Sequence, residues 1–263
     1  MKQRLLTLLI GFTLVACELE EAPGPVTPAV LQPSVYEETD YRREYSYNNA
    51  NQLVQIKMIS TFPHGNTFTS VQDFSYRPDG KIAEATSDTG FRFVYSYSGD
   101  RLVRTEEYVN GSWSKEHRFA YDSKGRVMEA ITYQNIPEEG GIIPTSKDEY
   151  QYGVNDNLIE WRMYYYTSFG AEAKLLTVMT YSDYDDKINT DNLFELNVFN
   201  PYQTLSTNNP GKQVVRNGAG IISSTEAYLY QYNDKGYVTA KTTQVTLYNG
   251  VTASYGSTYQ FRD

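Results

Sequence analysis

The sequence predicts an all-β protein, built as one large antiparallel meander that forms a curled sheet or a closed barrel. Three observations support this class. A nine-residue phrase recurs along the chain, the chain contains 25 Tyr and 11 Phe among 263 residues, and no stretch shows a convincing 3.6-residue period. Aromatic residues suit a pleated, half-buried surface. A sheet of this size must curl or close, because open edges expose unpaired backbone groups.

The recurring phrase predicts a β-hairpin wherever it occurs. It has an aromatic residue at position one, Tyr at position three, a turn over positions four to seven, and an aliphatic residue at position nine. Positions one and three point to the same face of a strand. Position seven favours Gly or Asn because the turn requires a positive φ there. The copies are YSYNNANQL at 45–53, FSYRPDGKI at 74–82, YSYSGDRL at 95–102, FAYDSKGRV at 119–127, YQYGVNDNL at 150–158 and YQYNDKGYV at 230–238.

One segment, 188–213, interrupts this rhythm. The six copies account for twelve strands, and with a degenerate copy, YSDYDDKI at 181–188, we expect about fourteen. Pro201 and Pro210 exclude a central strand within the interruption. A short helical turn is expected near 191–197. The excursion is predicted to be a plug, a cap or a packed connection, and these alternatives stay open at the level of sequence.

The N-terminal segment predicts secretion. Residues 1–16 combine a basic start with an apolar run that is too short to span a bilayer as an anchor. The run closes with LVAC at 14–17, which resembles the lipobox of bacterial lipoproteins and implies a lipid on Cys17. Residues 17–40 are rich in Pro and acidic residues and are predicted to be a tether. Residues 41–263 are then a single repeat-built β domain.

Charge and cysteine content exclude several classes of function. Removal of the signal leaves 21 basic and 32 acidic residues, a net charge of −11. Such an acidic chain is unsuited to nucleic acid and to electrostatic binding of anionic lipid. Cys17 is the only cysteine, so neither a disulfide within the domain nor thiol catalysis is expected.

Candidate chemistry is sparse. The two histidines, His64 and His117, lack the spacing of a metal site. No nucleophile elbow, phosphate loop or dinucleotide fingerprint occurs, so we predict no catalytic residues, no metal and no cofactor. The candidate ligand-binding residues are aromatic side chains suited to stacking on sugar rings, with burial in a core as the alternative. They are Trp113, Trp161, Tyr164, Tyr165 and Tyr166.

The phrase, the lipobox and the interruption together resemble a family of lipid-anchored bacterial proteins of unknown function with a porin-like β fold. The matching elements are Cys17, the hairpin phrases, FNPYQTL at 199–205 and TNNPGK at 207–212. The phrase is more distantly similar to the YD repeats of RHS-type proteins. The family resemblance implies a curled sheet or barrel and no established activity. Charged strand residues argue against a barrel that spans the membrane.

Three functions follow as hypotheses. The first is a non-catalytic lipoprotein of the bacterial cell envelope, at the outer membrane, that binds a glycan, a peptide or a partner protein. The second is a structural or assembly component of an outer-membrane complex, and the third is an unrecognised hydrolase. In each case the predicted membrane contact is made through the lipid anchor alone, and the periplasmic and surface-exposed faces remain alternatives.

Overall fold

The computed structural model describes residues 31–63, 65–168, 170–194 and 196–262. In this part of the chain sixteen antiparallel strands follow one another in sequence order, and β1 pairs with β16, which closes the sheet into a barrel. The predicted fold class is confirmed. The strands are β1 Gln32–Glu37, β2 Tyr41–Tyr47, β3 Leu53–Thr61, β4 Thr67–Tyr76, β5 Ile82–Ser87, β6 Phe91–Ser98, β7 Arg101–Val109, β8 Ser112–Tyr121, β9 Val127–Ile136, β10 Gly141–Tyr152, β11 Leu158–Tyr165, β12 Lys174–Ser182, β13 Lys212–Asn217, β14 Ile222–Tyr232, β15 Val238–Leu247 and β16 Thr252–Arg262.

The barrel begins earlier than the sequence predicted. Strand β1, Gln32–Glu37, falls inside the segment 17–40 that we assigned to a tether, and its Tyr36 is 4% exposed. The prolines of this segment suggested an extended linker, but Pro33 lies beside a β-bulge between Pro33 and Val35, a position that tolerates proline. The estimate of about fourteen strands is corrected to sixteen in the described residues. The predicted signal 1–16 and Cys17 lie outside these residues.

The turns of the recurring phrase all lie at one end of the barrel, which we call the repeat end. The predicted left-handed positions are confirmed there, with φ of 59° at Asn51, 81° at Gly80 and 80° at Gly236. The chain also joins the barrel at this end, because Gln32 at the start of β1 pairs with Arg262 at the end of β16. The opposite end carries the other set of turns, and we call it the mouth.

In four copies of the phrase the tyrosine at position three connects its hairpin to the one before it, whereas Tyr232 donates to Asp185 of the excursion between β12 and β13. Each of the four donates its hydroxyl hydrogen bond to the carbonyl of the position-nine residue of the preceding copy. That residue lies beside the β-bulge where its own hairpin begins its return strand. The bonds run from Tyr76 to Leu53 (2.6 Å), Tyr97 to Ile82 (2.8 Å), Tyr121 to Leu102 (2.6 Å) and Tyr152 to Val127 (2.8 Å). The phrase therefore requires tyrosine rather than phenylalanine at position three, since the hydroxyl meets a buried acceptor.

The two faces of the wall differ in chemistry. The rings of the phrase point into the barrel, whose interior we call the lumen, and form a buried cluster that includes Tyr45, Phe74 and Tyr95. The residues that alternate with them point outward, and many are charged. Outward ion pairs join Arg42 to Glu44 (2.9 Å), Arg92 to Glu84 (3.3 Å), Lys147 to Glu149 (2.6 Å) and Arg162 to Glu160 (2.8 Å). The outer wall is therefore polar along much of its length.

No helix among the described residues has the length and apolar character needed to cross a membrane.

Candidate ligand-binding cavities in the barrel lumen

The excursion between β12 and β13 enters the lumen. It comprises residues 183–211, which we call the plug, and so differs slightly from the predicted 188–213, because Lys212 already belongs to β13. The expected helical turn is present as α1, Asp191–Phe194. Of the three alternatives left open by the sequence, the structure selects the plug, since this segment packs against the inner wall of the barrel.

Phe194 is the apolar anchor of the plug. Its side chain is fully buried and lies among four rings of the wall. The centroid of its ring is 5.5 Å from that of Tyr45, 5.2 Å from Tyr259, 5.3 Å from Phe261 and 6.4 Å from Tyr36. Three of these pairs have edge-to-face geometry, the favoured arrangement for aromatic rings. The plug is therefore held by the tyrosine-lined face that the phrase creates.

Hydroxyl groups of the wall donate hydrogen bonds to plug carbonyls. Tyr45 bonds the carbonyl of Phe194 at 2.6 Å, Tyr95 bonds that of Val198 at 2.7 Å, and Thr105 bonds that of Phe199 at 2.5 Å. Burial raises the pKa of the Tyr45 and Tyr95 hydroxyls well above that of an exposed tyrosine. Both therefore remain donors across the physiological pH range.

Plug side chains also accept hydrogen bonds from backbone N–H groups of the wall. The Tyr202 hydroxyl accepts a hydrogen bond from the N–H of Ile82 at 2.7 Å. Ser206 accepts one from that of Leu158 at 3.0 Å, and Thr190 accepts one from that of Val238 at 2.8 Å. Each of the three donors occupies position nine of the phrase. The repeat therefore supplies three attachment points, each on a different side of the barrel. Buried backbone donors that lack a partner are costly, and the plug satisfies these three.

The bonds to Ile82, Leu158 and Val238 anchor the plug at the repeat end, and from there it extends along the inner wall as far as Phe93. The remaining lumen is reached from the mouth, where the lining residues Tyr255 and Phe91 are 43% and 39% exposed. The barrel thus has the form of a cup. The described residues enclose a cavity of about 610 Å³ (cavity 1) and a cavity of about 400 Å³ (cavity 2) there, and Arg43 and Leu196 line both.

Cavity 1 combines aromatic rings with amide groups. Its aromatic lining is Tyr36, Trp161, Tyr181, Tyr228, Tyr230 and Tyr255. Its amide lining is Asn189, Asn192, Asn197, Gln203 and Gln213. An amide both donates and accepts hydrogen bonds, and an aromatic ring offers a flat apolar face. The volume is within the range of small-molecule sites.

The charged groups of cavity 1 are fixed by neighbours from the wall. The Asp191 carboxylate accepts the Tyr259 hydroxyl at 2.6 Å and pairs with the Lys241 ammonium at 2.8 Å. Glu226 accepts the Tyr228 hydroxyl at 2.8 Å. Burial and the neighbouring Glu226 carboxylate raise the pKa of Tyr228 far above its usual value. These hydrogen bonds and this ion pair therefore hold Asp191 and Glu226 in fixed orientations at the cavity wall.

Trp161 is the one predicted ligand-binding residue that lines a cavity. Its indole N–H donates to the half-buried Asp148 carboxylate at 2.9 Å, and its ring lies 5.6 Å from that of Tyr150. Burial raises the pKa of Asp148, and the indole hydrogen bond opposes that rise. Trp161 is thus held in a fixed orientation at the cavity wall.

The structure does not bring the other predicted aromatic residues to the cavities. Tyr164 lies on the outer face, where it donates to Glu149 at 2.8 Å. Tyr165 is 39% exposed near the mouth, and Tyr166 follows the end of β11. Trp113 is half-buried on β8 opposite Tyr108 and lines neither cavity. Tyr164 and Tyr165 separate because neighbouring strand residues face opposite sides.

Most polar residues of cavity 1 were missed by sequence reasoning. Asp191, Asn192 and Gln203 come from the plug, whose position in the lumen leaves no local pattern. Glu226 was detectable, since it lies two residues before Tyr228 on β14 and so shares its inward face. Lys241 shares that face because it pairs with Tyr230 across the β14–β15 ladder. Among the described residues no group of three or more His, Cys, Asp or Glu could hold a metal ion. His64, the other histidine considered for such a site, lies outside these residues.

Solved structures resemble this chain to different degrees. A porin-like protein from Bacteroides uniformis superimposes with a TM-score of 0.61 at 13% identity, covering 88% of this chain and 98% of that one. A porin-like protein from Bacteroides vulgatus gives 0.47 at 9% identity, covering 88% and 99%. A chain in the TcdB2–TccC3–Cdc42 structure gives 0.25 at 12% identity, covering 85% and 15%. No family model and no curated protein matches the sequence. The likeness to the Bacteroides uniformis structure confirms the expected porin-like barrel fold.

Proposed function

We propose that this chain is a lipoprotein of the bacterial cell envelope whose barrel binds a neutral glycan in cavity 1. The observation that carries the proposal is that the plug closes the lumen at the repeat end. A plug tied to several sides of the wall turns a sixteen-stranded barrel into a cup, whereas an open barrel of this size leaves a water-filled channel. The cup suits retention of a ligand rather than its passage.

The lining of cavity 1 favours a sugar over other ligands. Sugar rings present C–H faces that stack on aromatic rings, such as those of Trp161 and Tyr255. Their hydroxyl groups both donate and accept hydrogen bonds, which matches the five amide side chains. The charged lining consists of three carboxylates, Glu38, Asp191 and Glu226, and two cations, Arg43 and Lys241, and Asp191 pairs with Lys241. One carboxylate is therefore in excess, so the cavity disfavours an anionic ligand.

The outer wall supports attachment at the envelope without insertion of the barrel. Barrels that span a membrane carry an apolar band on their outer face, and here that face carries ion pairs such as Arg92–Glu84 and Arg162–Glu160. In our proposal Cys17 carries the lipid and the barrel stays outside the bilayer. The chain joins the barrel at the repeat end, so the mouth lies at the end remote from this attachment.

Removal of cavity aromatics should weaken glycan binding. We expect Tyr255→Ala and Trp161→Ala to weaken binding of a neutral oligosaccharide roughly tenfold or more, because anchor residues of this kind dominate binding energy. Tyr248→Ala and Trp113→Ala are the matched controls, since neither residue lines cavity 1. A glycan array followed by calorimetry measures the effect. Absence of binding across a broad panel of neutral glycans, or equal losses in the controls, would contradict the proposal.

A second candidate, an assembly component of an envelope complex, is favoured by the mouth itself. Large apolar side chains are exposed around its edge, among them Phe62 (54%), Ile221 (64%), Tyr248 (81%) and Val251 (54%). Exposed apolar patches mark interaction surfaces. The same variants separate the two candidates. Loss of a crosslinked envelope partner in Tyr248→Ala, with Tyr255→Ala unaffected, favours assembly at the mouth.

A further inference from the structure

Cavity 2 differs from cavity 1 in its chemistry. Its lining is largely apolar and includes Ile56, Met58, Phe91, Phe93, Val198 and Phe199. The plug supplies Val198 and Phe199, so the wall and the plug build this cavity together. Its volume of about 400 Å³ is within the range of small-molecule sites. An apolar cavity of this size suits the body of an aliphatic or aromatic ligand.

Three charged residues line the same cavity. Arg43, Lys115 and Glu107 are all among its lining residues. The Lys115 ammonium lies 3.6 Å from the Glu107 carboxylate, which is 3% exposed. One cation offsets that carboxylate, and the guanidinium of Arg43 remains in excess. Cavity 2 is therefore locally positive, although the whole chain carries a net charge of −9.

Arg43 is held in place and still has donor capacity. Its Nε donates to the Tyr41 hydroxyl at 2.7 Å and its Nη1 donates to the carbonyl of Phe194 at 3.1 Å. A guanidinium has five N–H donors, arranged as a fork that matches a carboxylate. The two bonds fix the plane of the group without using all of its donors. Arg43 thus resembles a preorganised anion-binding group at the edge of an apolar cavity.

A route from solvent to the cavity is also present. Phe91 is 39% exposed at the mouth, and Thr89 in the adjoining turn is exposed. Both line the cavity. A ligand can therefore enter from the mouth with its apolar end directed between the phenylalanine rings.

We propose that cavity 2 binds an apolar carboxylate. The aliphatic or aromatic body packs against Phe93, Phe199 and Met58, and the carboxylate faces Arg43 and Lys115. A fatty acid and a small aromatic acid share this chemistry, so both are included in the test. This inference concerns a different cavity from the proposed glycan site and does not depend on it.

Titration calorimetry tests the proposal with ligands of matched tail and opposite charge. We expect octanoate or 3-phenylpropionate to bind and octylammonium to bind at least tenfold more weakly. A gain in affinity from octanoate to dodecanoate assigns the site to fatty acids, and a preference for 3-phenylpropionate assigns it to small aromatic acids. Either result supports the proposal. Equal binding of octanoate and octylammonium, or no binding of any of these acids, would overturn it.

Two substitutions at the Lys115–Glu107 ion pair should change the affinity for octanoate in opposite directions. Lys115→Gln removes a cation and should weaken octanoate binding about tenfold, whereas Glu107→Gln removes the competing carboxylate and should strengthen it several-fold. Loss of folding cannot produce a gain in affinity, so opposite signs identify an electrostatic site. Thermal unfolding of both variants checks that the barrel persists. Shifts of the same sign in the two variants would refute the assignment.

Discussion

Phe194→Ala should lower the free energy of unfolding by about 3–5 kcal/mol, the range for deletion of a fully buried phenylalanine. Its side chain has no exposed surface and contacts Tyr36, Tyr45, Tyr259 and Phe261. Because these rings belong to strands on both sides of the β1–β16 closure, the cavity left behind cannot collapse without moving the wall. Denaturant unfolding followed by circular dichroism measures the change.

Phe62→Ala is the matched control for this substitution. Phe62 is 54% exposed at the mouth, and truncation of such a surface residue should change stability by no more than about 0.5 kcal/mol. Equal free energies of unfolding for the two variants would contradict the burial of Phe194 in the lumen, and with it the closure of the barrel by the plug.

Acid should weaken the barrel through His117. The ring is 9% exposed, lies 4.0 Å from the ring of Phe199, and its Nδ1 is 3.1 Å from the Thr132 hydroxyl. Burial, with a contribution from the Lys115 charge, lowers the pKa of His117 to about 4 from 6.5. The folded state therefore holds a neutral imidazole in the range where the unfolded state binds a proton. The stabilisation is fully present above pH 6.5 and is lost as pH falls to about 4.

The expected loss over this range is ~3 kcal/mol. His117→Gln removes the titrating group, so its stability should fall less steeply between pH 7 and pH 4.5 than that of the unsubstituted protein. The carboxylates and His64 are common to both proteins, and the difference between the two pH profiles isolates His117. Denaturant titrations at several pH values provide the measurement. Superimposable profiles would show that His117 is not buried against the plug.

The architecture of the wall was predictable because each local signal agreed with the next. The phrase specified an inward face, a left-handed turn residue and a return strand, and Asn51, Gly80 and Gly236 adopt the expected φ values. The strand at Gln32–Glu37 was missed because Pro33 concealed it. The segment around β1 does not contain the aromatic phrase. Without it, the sequence does not distinguish a proline beside a β-bulge from a proline in a linker.

The candidate site was predictable only where it uses the wall. Trp161 shares the inward face of Tyr150 and lines cavity 1, but its neighbours across the cavity come from the plug. The contacts of Asp191 and Phe199 depend on where the plug lies, which local periodicity does not specify. The sequence thus identified the interruption as unusual without indicating which surface it would contact.

The central claim is that the plug lies inside the barrel, and photocrosslinking tests it most directly. A benzophenone side chain introduced at Phe93 has room in cavity 2, and the ring of Phe93 lies 5.6 Å from that of Phe199. Irradiation followed by peptide mass spectrometry should recover adducts between position 93 and residues 196–200. Adducts confined to the neighbouring strands β5 and β7, with none to the plug, would contradict the account.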